Sequence, residues 1–386
     1  MKYDFDKPVD RRGSGSYKWD EMDEKDLIPL WVADMDFQTA PAIINALRRR
    51  VKHGVFGYTL VAESYYESVI SWFRRRHQWS IQREWIQYTS GVVPALSVIV
   101  KAFTEPGDEV ILQTPVYNCF FSSVRNNGCR IVENRLLRNS DNRYTMDFDD
   151  LAEKARSPRA KLLILCNPHN PAGRVWTTED LVRVYNICKE NGVIVVSDEI
   201  HNELTYGQRY TAYGTVDEGL TNAIICTSPS KSFNTAGLQI ANIICSNPEW
   251  RQKIDRAINI NEVCDVNPFG VVALQAAYNE SEEWLDALTD YLWQNYQMLL
   301  DFFRSELPHL KVTPLEGTYL VWVDIRATGM TADEVTEKLL REARVQVNSG
   351  TMYGSEAGEG FIRINIACPR ARLTEALHRI AKLLKS

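Results

Sequence analysis

Between residues 85 and 245 the chain repeats one pattern: a short run of β-branched and other apolar residues, then a stretch with helical periodicity. The runs fall at 85–89, 109–113, 161–166, 193–197, 223–227 and 240–245. Strands without polar alternation are covered on both faces, and helices between them are the crossovers that parallel neighbours require. The region is therefore predicted to be an α/β domain built on a mainly parallel sheet.

After Pro268 the pattern changes to helical stretches at 269–279 and 282–306, the second stopped by Pro308. Apolar runs at 318–325 and 361–366 follow, with helices expected at 331–343 and 372–384. The expected organisation is a large domain over residues 40–280 and a smaller α+β domain made of residues 1–39 and 281–386. A chain of 386 residues has room for both. It shows no internal repeat, low-complexity segment or Gly/Ser linker, so the two units should pack tightly.

Composition excludes several classes. A formal net charge of -6 offers no field for nucleic acid, and Arg48-Arg49-Arg50 and Arg74-Arg75-Arg76 read as local helix surface. The opening Met1-Lys2-Tyr3-Asp4-Phe5-Asp6 lacks a secretory h-region, and no apolar run approaches a membrane span, so a cytoplasmic protein is expected. The eight cysteines form no C-x-x-C pair and the six histidines are scattered. Reduced, buried cysteines and no metal site are the expectation.

Five segments could carry chemistry. In Thr227-Ser228-Pro229-Ser230-Lys231-Ser232-Phe233-Asn234, one lysine sits among small hydroxylated residues. Lysine forms a Schiff base with a carbonyl cofactor and neighbouring hydroxyls can hold a phosphate, which makes pyridoxal phosphate the leading hypothesis. A solvated surface loop is the competing reading. In Tyr88-Thr89-Ser90-Gly91-Val92-Val93-Pro94-Ala95 a strand runs into a helix start, where a phosphate could sit on Gly91, Val92 and Val93. An ordinary βα turn would look the same. No G-x-G-x-x-G follows a strand and no G-x-x-x-x-G-K-[ST] occurs, which disfavours dinucleotides and P-loop nucleotides.

Cys166-Asn167-Pro168-His169-Asn170-Pro171-Ala172-Gly173 places two Asn-Pro pairs at a strand's carboxyl end, where open α/β sheets bind ligands. Asn170 could hydrogen-bond a phenolic oxygen there, or the segment could be a purely structural turn. The buried run Val193-Ile194-Val195-Val196-Ser197 ends in Asp198-Glu199-Ile200-His201. A carboxylate at that place needs a partner such as a protonated pyridine nitrogen, and Asp198 is preferred to Glu199 because it comes first; a helix cap or salt bridge is the alternative. Arg363, inside Phe361-Ile362-Arg363-Ile364-Asn365-Ile366, offers a planar fork that matches an amino acid's α-carboxylate. A structural ion pair competes with that role.

Together these segments resemble the fold-type I pyridoxal phosphate enzymes of the aminotransferase class I/II family. The order Gly-Val-Val, Tyr, Asn-Pro, Asp, Ser-x-Ser-Lys, Arg matches along most of the chain. Asp10-Arg11-Arg12-Gly13-Ser14-Gly15-Ser16-Tyr17-Lys18-Trp19-Asp20, Trp31-Val32-Ala33-Asp34-Met35-Asp36-Phe37, Phe56-Gly57-Tyr58 and Asn365-Ile366-Ala367-Cys368-Pro369-Arg370 are similar to the MalY/PatB branch, the cystathionine β-lyase subfamily.

The resemblance implies a mainly parallel seven-stranded sheet in the large domain. It implies that Lys231 bonds the cofactor and moves the Cα proton, that Asp198 pairs with the pyridine nitrogen and that Asn170 donates to the ring hydroxyl oxygen. Tyr117, in Thr114-Pro115-Val116-Tyr117, would stack on the pyridine. Gly91, Val92, Val93, Ser228 and Ser230 would surround the phosphate, with Ser228 the better direct ligand. Arg363 would hold the substrate carboxylate. Tyr58 would reach in from the neighbouring subunit as a catalytic and substrate-binding group, making the site a property of a homodimer. His201 stands where aminotransferases often place a tyrosine near the ring oxygen.

One departure concerns Gln239, eight residues after Lys231, where many aminotransferases carry a phosphate-binding arginine. The phosphate would then rely on backbone N–H groups and hydroxyls. The implied activity is cleavage of L-cystathionine or a related cysteine S-conjugate to a thiol, pyruvate and ammonia. An aminotransferase is the first rival. A cofactor-binding regulatory or interaction protein is the second, although no helix-turn-helix pattern precedes the core.

Overall fold

The computed structural model of the chain describes residues 2–22, 26–217, 219–262 and 264–385. The six apolar runs and one further segment form strands β1 (Ile86–Thr89), β2 (Glu109–Leu112), β3 (Arg130–Glu133), β4 (Ala160–Cys166), β5 (Ile194–Asp198), β6 (Ala223–Thr227) and β7 (Ala241–Ile244). They make one seven-stranded sheet in the order β1-β7-β6-β5-β4-β2-β3. Strand β7 is antiparallel to both neighbours, while all other pairs are parallel. Edge strand β3 was not expected from the sequence: Arg130 and Glu133 bracket only two apolar residues, and none of the four is fully buried.

The absence of polar alternation follows from where the side chains go. Leu163, Leu165, Val195 and Ile225 enter one apolar core, and their neighbours Leu162, Ile164, Val196 and Ile224 enter a second on the opposite face. Both faces are dry along the central strands, so their middle positions are apolar on both sides. Helix α1 (Pro41–His53) packs along α4 (Pro268–Glu280), while α2 (Val92–Phe103) and α3 (Thr178–Glu190) are crossovers between parallel strands. Helix α3 is started by a capping box between Thr177 and Asp180.

A second sheet is antiparallel throughout. Strands β8 (Lys311–Val312), β9 (Leu320–Asp324), β10 (Asn348–Ser349) and β11 (Phe361–Asn365) take the order β8-β9-β11-β10. Ile28–Pro29 pairs in parallel with Val345–Gln346, which brings the amino-terminal segment against this smaller unit. Among the described residues no helix is long and apolar enough to cross a membrane. All eight cysteines are free; six are buried and Cys119 and Cys264 are half-buried.

Candidate active site

Strands β4, β5 and β6 end together, and the loops after them enclose a cavity of about 190 Å³. Gly91, Val92, Val93, Tyr117, Asn170, Asp198, His201, Ser228, Ser230 and Lys231 all line it, although the sequence scatters them over five segments. Each βα loop leaves the same edge of a parallel sheet, so distant segments meet there.

At one end of the cavity, α2 begins at Val92 with Gly91 as its N-cap and no side chain capping it. The first-turn N–H groups thus face the cavity without an internal acceptor. A Cβ on Gly91 would fall 3.3 Å from Pro94 Cδ. Ser228 Oγ donates to Ile240 O at 2.7 Å and accepts from Ser230 N at 3.1 Å, so its proton is already engaged in closing the loop. Gln239 also borders the cavity.

At the other end, Asp198 is buried and accepts one backbone N–H, from Ile200 at 3.1 Å. Burial raises its pKa from 3.8 to about 7, against the opposing pull of that N–H and of Lys231. Glu199 points elsewhere. It accepts from Ser197 Oγ and Tyr213 N, both at 2.9 Å, and from the Tyr210 hydroxyl. The two adjacent acids therefore divide, one onto the cavity and one into a structural network.

Lys231 keeps part of its surface open to the cavity. Its amine is nonetheless sunk deeply enough that burial, followed by the charge of Arg363, lowers its pKa from 10.5 to about 8. His201 is held neutral by burial and by the charges of Lys231 and Arg363, and its Nδ1 has no hydrogen-bond partner. Arg363 lies behind Asn170. It donates to Asn170 Oδ1 at 3.2 Å and to Trp31 O at 2.8 Å, and its guanidinium sits 4.8 Å from the centre of the Tyr353 ring. Those hydrogen bonds go to an amide and a main-chain carbonyl rather than to an acid, and its buried Nε has no partner.

Tyr58, expected to act in the neighbouring subunit's site, is 97% exposed and lies off its own chain's cavity, apart from the other candidate residues. One feature differs from the sequence reading: residues 31–37 form a strap over the site that side-chain logic did not reveal. Asn348 and Arg363 hold Trp31 O, Asn365 Nδ2 holds Val32 O and Asp34 O at 2.6 and 2.7 Å, and Asn234 Nδ2 holds Met35 O and Phe37 O. Ala33, at its centre, lines the cavity and accepts from Lys231 Nζ at 2.6 Å and Tyr319 OH at 2.9 Å. The strap offers main-chain carbonyls, which leave no signature in residue type.

The cavity suits a molecule with an anionic group at one end and a cationic ring at the other, within reach of a lysine amine. The uncapped helix start answers the first, and the desolvated Asp198 carboxyl answers the second.

Comparison with known proteins gives the same frame. The chain is 42% identical to the cystathionine beta-lyase PatB of Bacillus subtilis, across 98% of this chain and 99% of PatB. A PLP-bound putative aminotransferase from Clostridium difficile 630 superposes with a TM-score of 0.96 at 39% identity, covering 99% of this chain and 100% of that one. Cystalysin from Treponema denticola, which contains pyridoxal 5'-phosphate, superposes with a TM-score of 0.96 at 37% identity, covering 100% and 99%. The pattern of the aminotransferase class I and II family spans residues 25–380, from just before the strap to the last helix, and the chain belongs to that family.

Proposed function

We propose that this chain is a pyridoxal-phosphate-dependent carbon–sulfur β-lyase that converts L-cystathionine, or a related cysteine S-conjugate, to a thiol, pyruvate and ammonia. The observation that carries the reading is the convergence of Lys231, Asp198, Asn170 and an uncapped helix start on one cavity. The 42% identity to PatB, a cystathionine beta-lyase, supports the choice of reaction.

When bound, pyridoxal phosphate supplies the electron sink that makes loss of a Cα proton feasible. The chain's own groups do the rest. Asp198, desolvated and short of a cation, is placed to ionise against a protonated ring nitrogen and to keep the proton there. Lys231, with its pKa near 8, keeps a useful neutral fraction at neutral pH and serves as nucleophile and base. Asn170 is the donor to the ring oxygen, with neutral His201 beside it, and Tyr117 covers the ring face. Val92 and Val93 N–H groups, with Gly91 and Ser230, receive the phosphate, and Ser228, expected to be a direct ligand, holds their loop through its bond to Ile240 O unless its hydroxyl turns to the phosphate. Arg363 turns its fork to the substrate carboxylate.

The active form we propose is a homodimer in which Tyr58 enters the neighbouring subunit's site. The exposure of Val55, Phe56, Tyr58 and Leu60 in a single chain supports this. A two-unit division at residues 39/40 and 280/281 is supported by the pairing of Ile28–Pro29 with Val345–Gln346. Free cysteines throughout support a cytoplasmic setting.

The test is to mix purified protein with L-cystathionine in the absence of any keto acid and to assay pyruvate and free thiol. Sustained release of both is expected. The C. difficile neighbour's description as a putative aminotransferase makes amino transfer the second reading, and turnover only after a keto acid is added would establish it.

A further inference from the structure

We infer that the main-chain carbonyl of Ala33, shared with the Tyr319 hydroxyl, is the station that receives the Lys231 amine whenever that amine is not bonded to the cofactor. The inference rests on the proposed role of Lys231. Its geometric basis is a single acceptor with two donors: Lys231 Nζ at 2.6 Å and Tyr319 OH at 2.9 Å. A carbonyl oxygen can only accept, so it favours the ammonium over the amine.

The oxygen cannot turn away. The carbonyls on either side of it, Val32 O and Asp34 O, are both gripped by Asn365 Nδ2, and the Asp34 carboxylate is held by Arg11 at 2.7 Å. Tyr319 is fixed as firmly. It is fully buried, its ring meets that of His201 edge-on at 5.9 Å, and it follows Thr318, whose φ of 71° is one that β-branched residues rarely adopt. Thr318 is kept there by its own N–H to Leu204 O at 2.8 Å and by Leu320 N to its hydroxyl at 3.1 Å.

Two donors on one oxygen each bind more weakly than one alone. Tyr319 therefore limits how strongly Ala33 O stabilises the charged lysine and preserves its neutral fraction. It is a positioning residue that acts through the strap. The other ionisable groups facing the amine are Arg363 from β11, Asp198 from the end of β5, Asp34 from the strap and Cys119 from the helix after Tyr117, with His201 close by. None of them touches the Tyr319 hydroxyl, whose partner is Ala33 O.

The experiment compares wild type and Tyr319→Phe as full-length protein stripped of cofactor, labelling amines with acetic anhydride across a pH series and quantifying the Lys231 peptide by mass spectrometry. The Lys231 midpoint should rise by ~0.5–1 pH unit in Tyr319→Phe, while far-UV circular dichroism is unchanged and Tm moves by no more than ~2–4 °C. A midpoint that stays or falls overturns the inference. Should the variant misfold, crystals of wild-type holoenzyme treated with aminooxyacetate, which displaces the lysine, decide the matter. Lys231 Nζ within hydrogen-bonding distance of Ala33 O, below roughly 3.2 Å, is expected; an amine pointing elsewhere overturns it. Failure of the proposed function is distinct, because unlabelled protein would then develop no visible absorption with pyridoxal phosphate.

Discussion

The strap at 31–37 lies on the cavity and the loop at 54–62 stands off it, and the two are held in opposite ways. Side chains from distant parts of the chain grip the carbonyls of Trp31, Val32, Ala33, Asp34, Met35 and Phe37. Over residues 55–60 the one side-chain hydrogen bond among the described residues joins Thr59 Oγ1 to Gly57 O, inside the loop itself. Phe56 rests on Phe269 at 5.6 Å, but Tyr58 and Leu60 are 97% and 85% exposed. A segment satisfied from within has its geometry set by its own fold. One that exposes large apolar side chains offers them to another surface.

The largest effect is expected at Lys231, where the strap meets the cavity. Lys231→Ala should abolish visible absorption with pyridoxal phosphate and lower turnover by at least ~10²–10⁴-fold, the share of a lost general base. A variant that still colours would assign the cofactor bond to another lysine.

Acidity separates the two regions next. Residues 54–62 carry Tyr58 as their one titratable side chain, so of the two regions only the enclosed one can respond near neutral pH. Asp198 has a folded-state pKa of about 7 against 3.8, so the folded chain binds more protons than the unfolded one between those values. Its contribution is full below the unfolded value and is lost as pH rises through 7, by at most about 4 kcal/mol. Lys231, lowered from 10.5 to about 8, works the other way: its burial costs stability at low pH, and stability recovers as pH rises from 8 to 10.5. His169, lowered to about 4, and His201, lowered well below 6.5, work against the Asp198 limb, since burial makes both cost stability as they protonate. The readout is therefore the difference between two cofactor-free proteins: Tm of Asp198→Asn minus that of wild type should rise as pH goes from about 4 to 7 and level off above it. A difference that does not change with pH would break the claim that this carboxyl lacks a cation.

Under the strap, Asn365→Leu leaves Val32 O with Asp34 N alone, Asp34 O with Lys18 Nζ alone and Ala367 N without its side-chain acceptor, at a position that is 1% exposed. A loss of about 3 kcal/mol in urea unfolding is expected, with a raised KM. A loss under ~1 kcal/mol would mean that water replaces the amide and that the strap is looser than its contacts imply.

In the loop, Phe56→Ser with Leu60→Ser should change the stability of a single chain by no more than ~0.5 kcal/mol. Sedimentation should nevertheless shift toward the single-chain mass, and mixed Lys231→Ala and Tyr58→Phe subunits should recover part of their activity. Unchanged mass in the double variant would remove the loop from any interface.

How much of this could be read from the sequence follows the same line. Strands β4, β5 and β6 were legible because both faces are dry and the runs are unbroken. Strand β3 was not, since this edge strand carries charge at both ends and so resembles a loop; the reversed direction of β7 leaves no local mark either. In the site, side-chain chemistry was visible: Asp198 reaches the cavity while Glu199 joins Tyr210 and Ser197. Tyr319 was hidden inside an apolar run, and Ala33 contributes an oxygen that every residue possesses.

The span of the strap's contacts also sets a timetable. Arg363 reaches Trp31 across 332 residues and Asn365 reaches Val32 across 333. On a ribosome moving at 5–20 residues per second, the early segment waits roughly 20–60 s for its partners to be made. A nascent chain that has passed Lys231 but not Asn365 carries the Lys231 loop with an open roof, so the enclosed cavity is acquired only once Arg363 and Asn365 have been made.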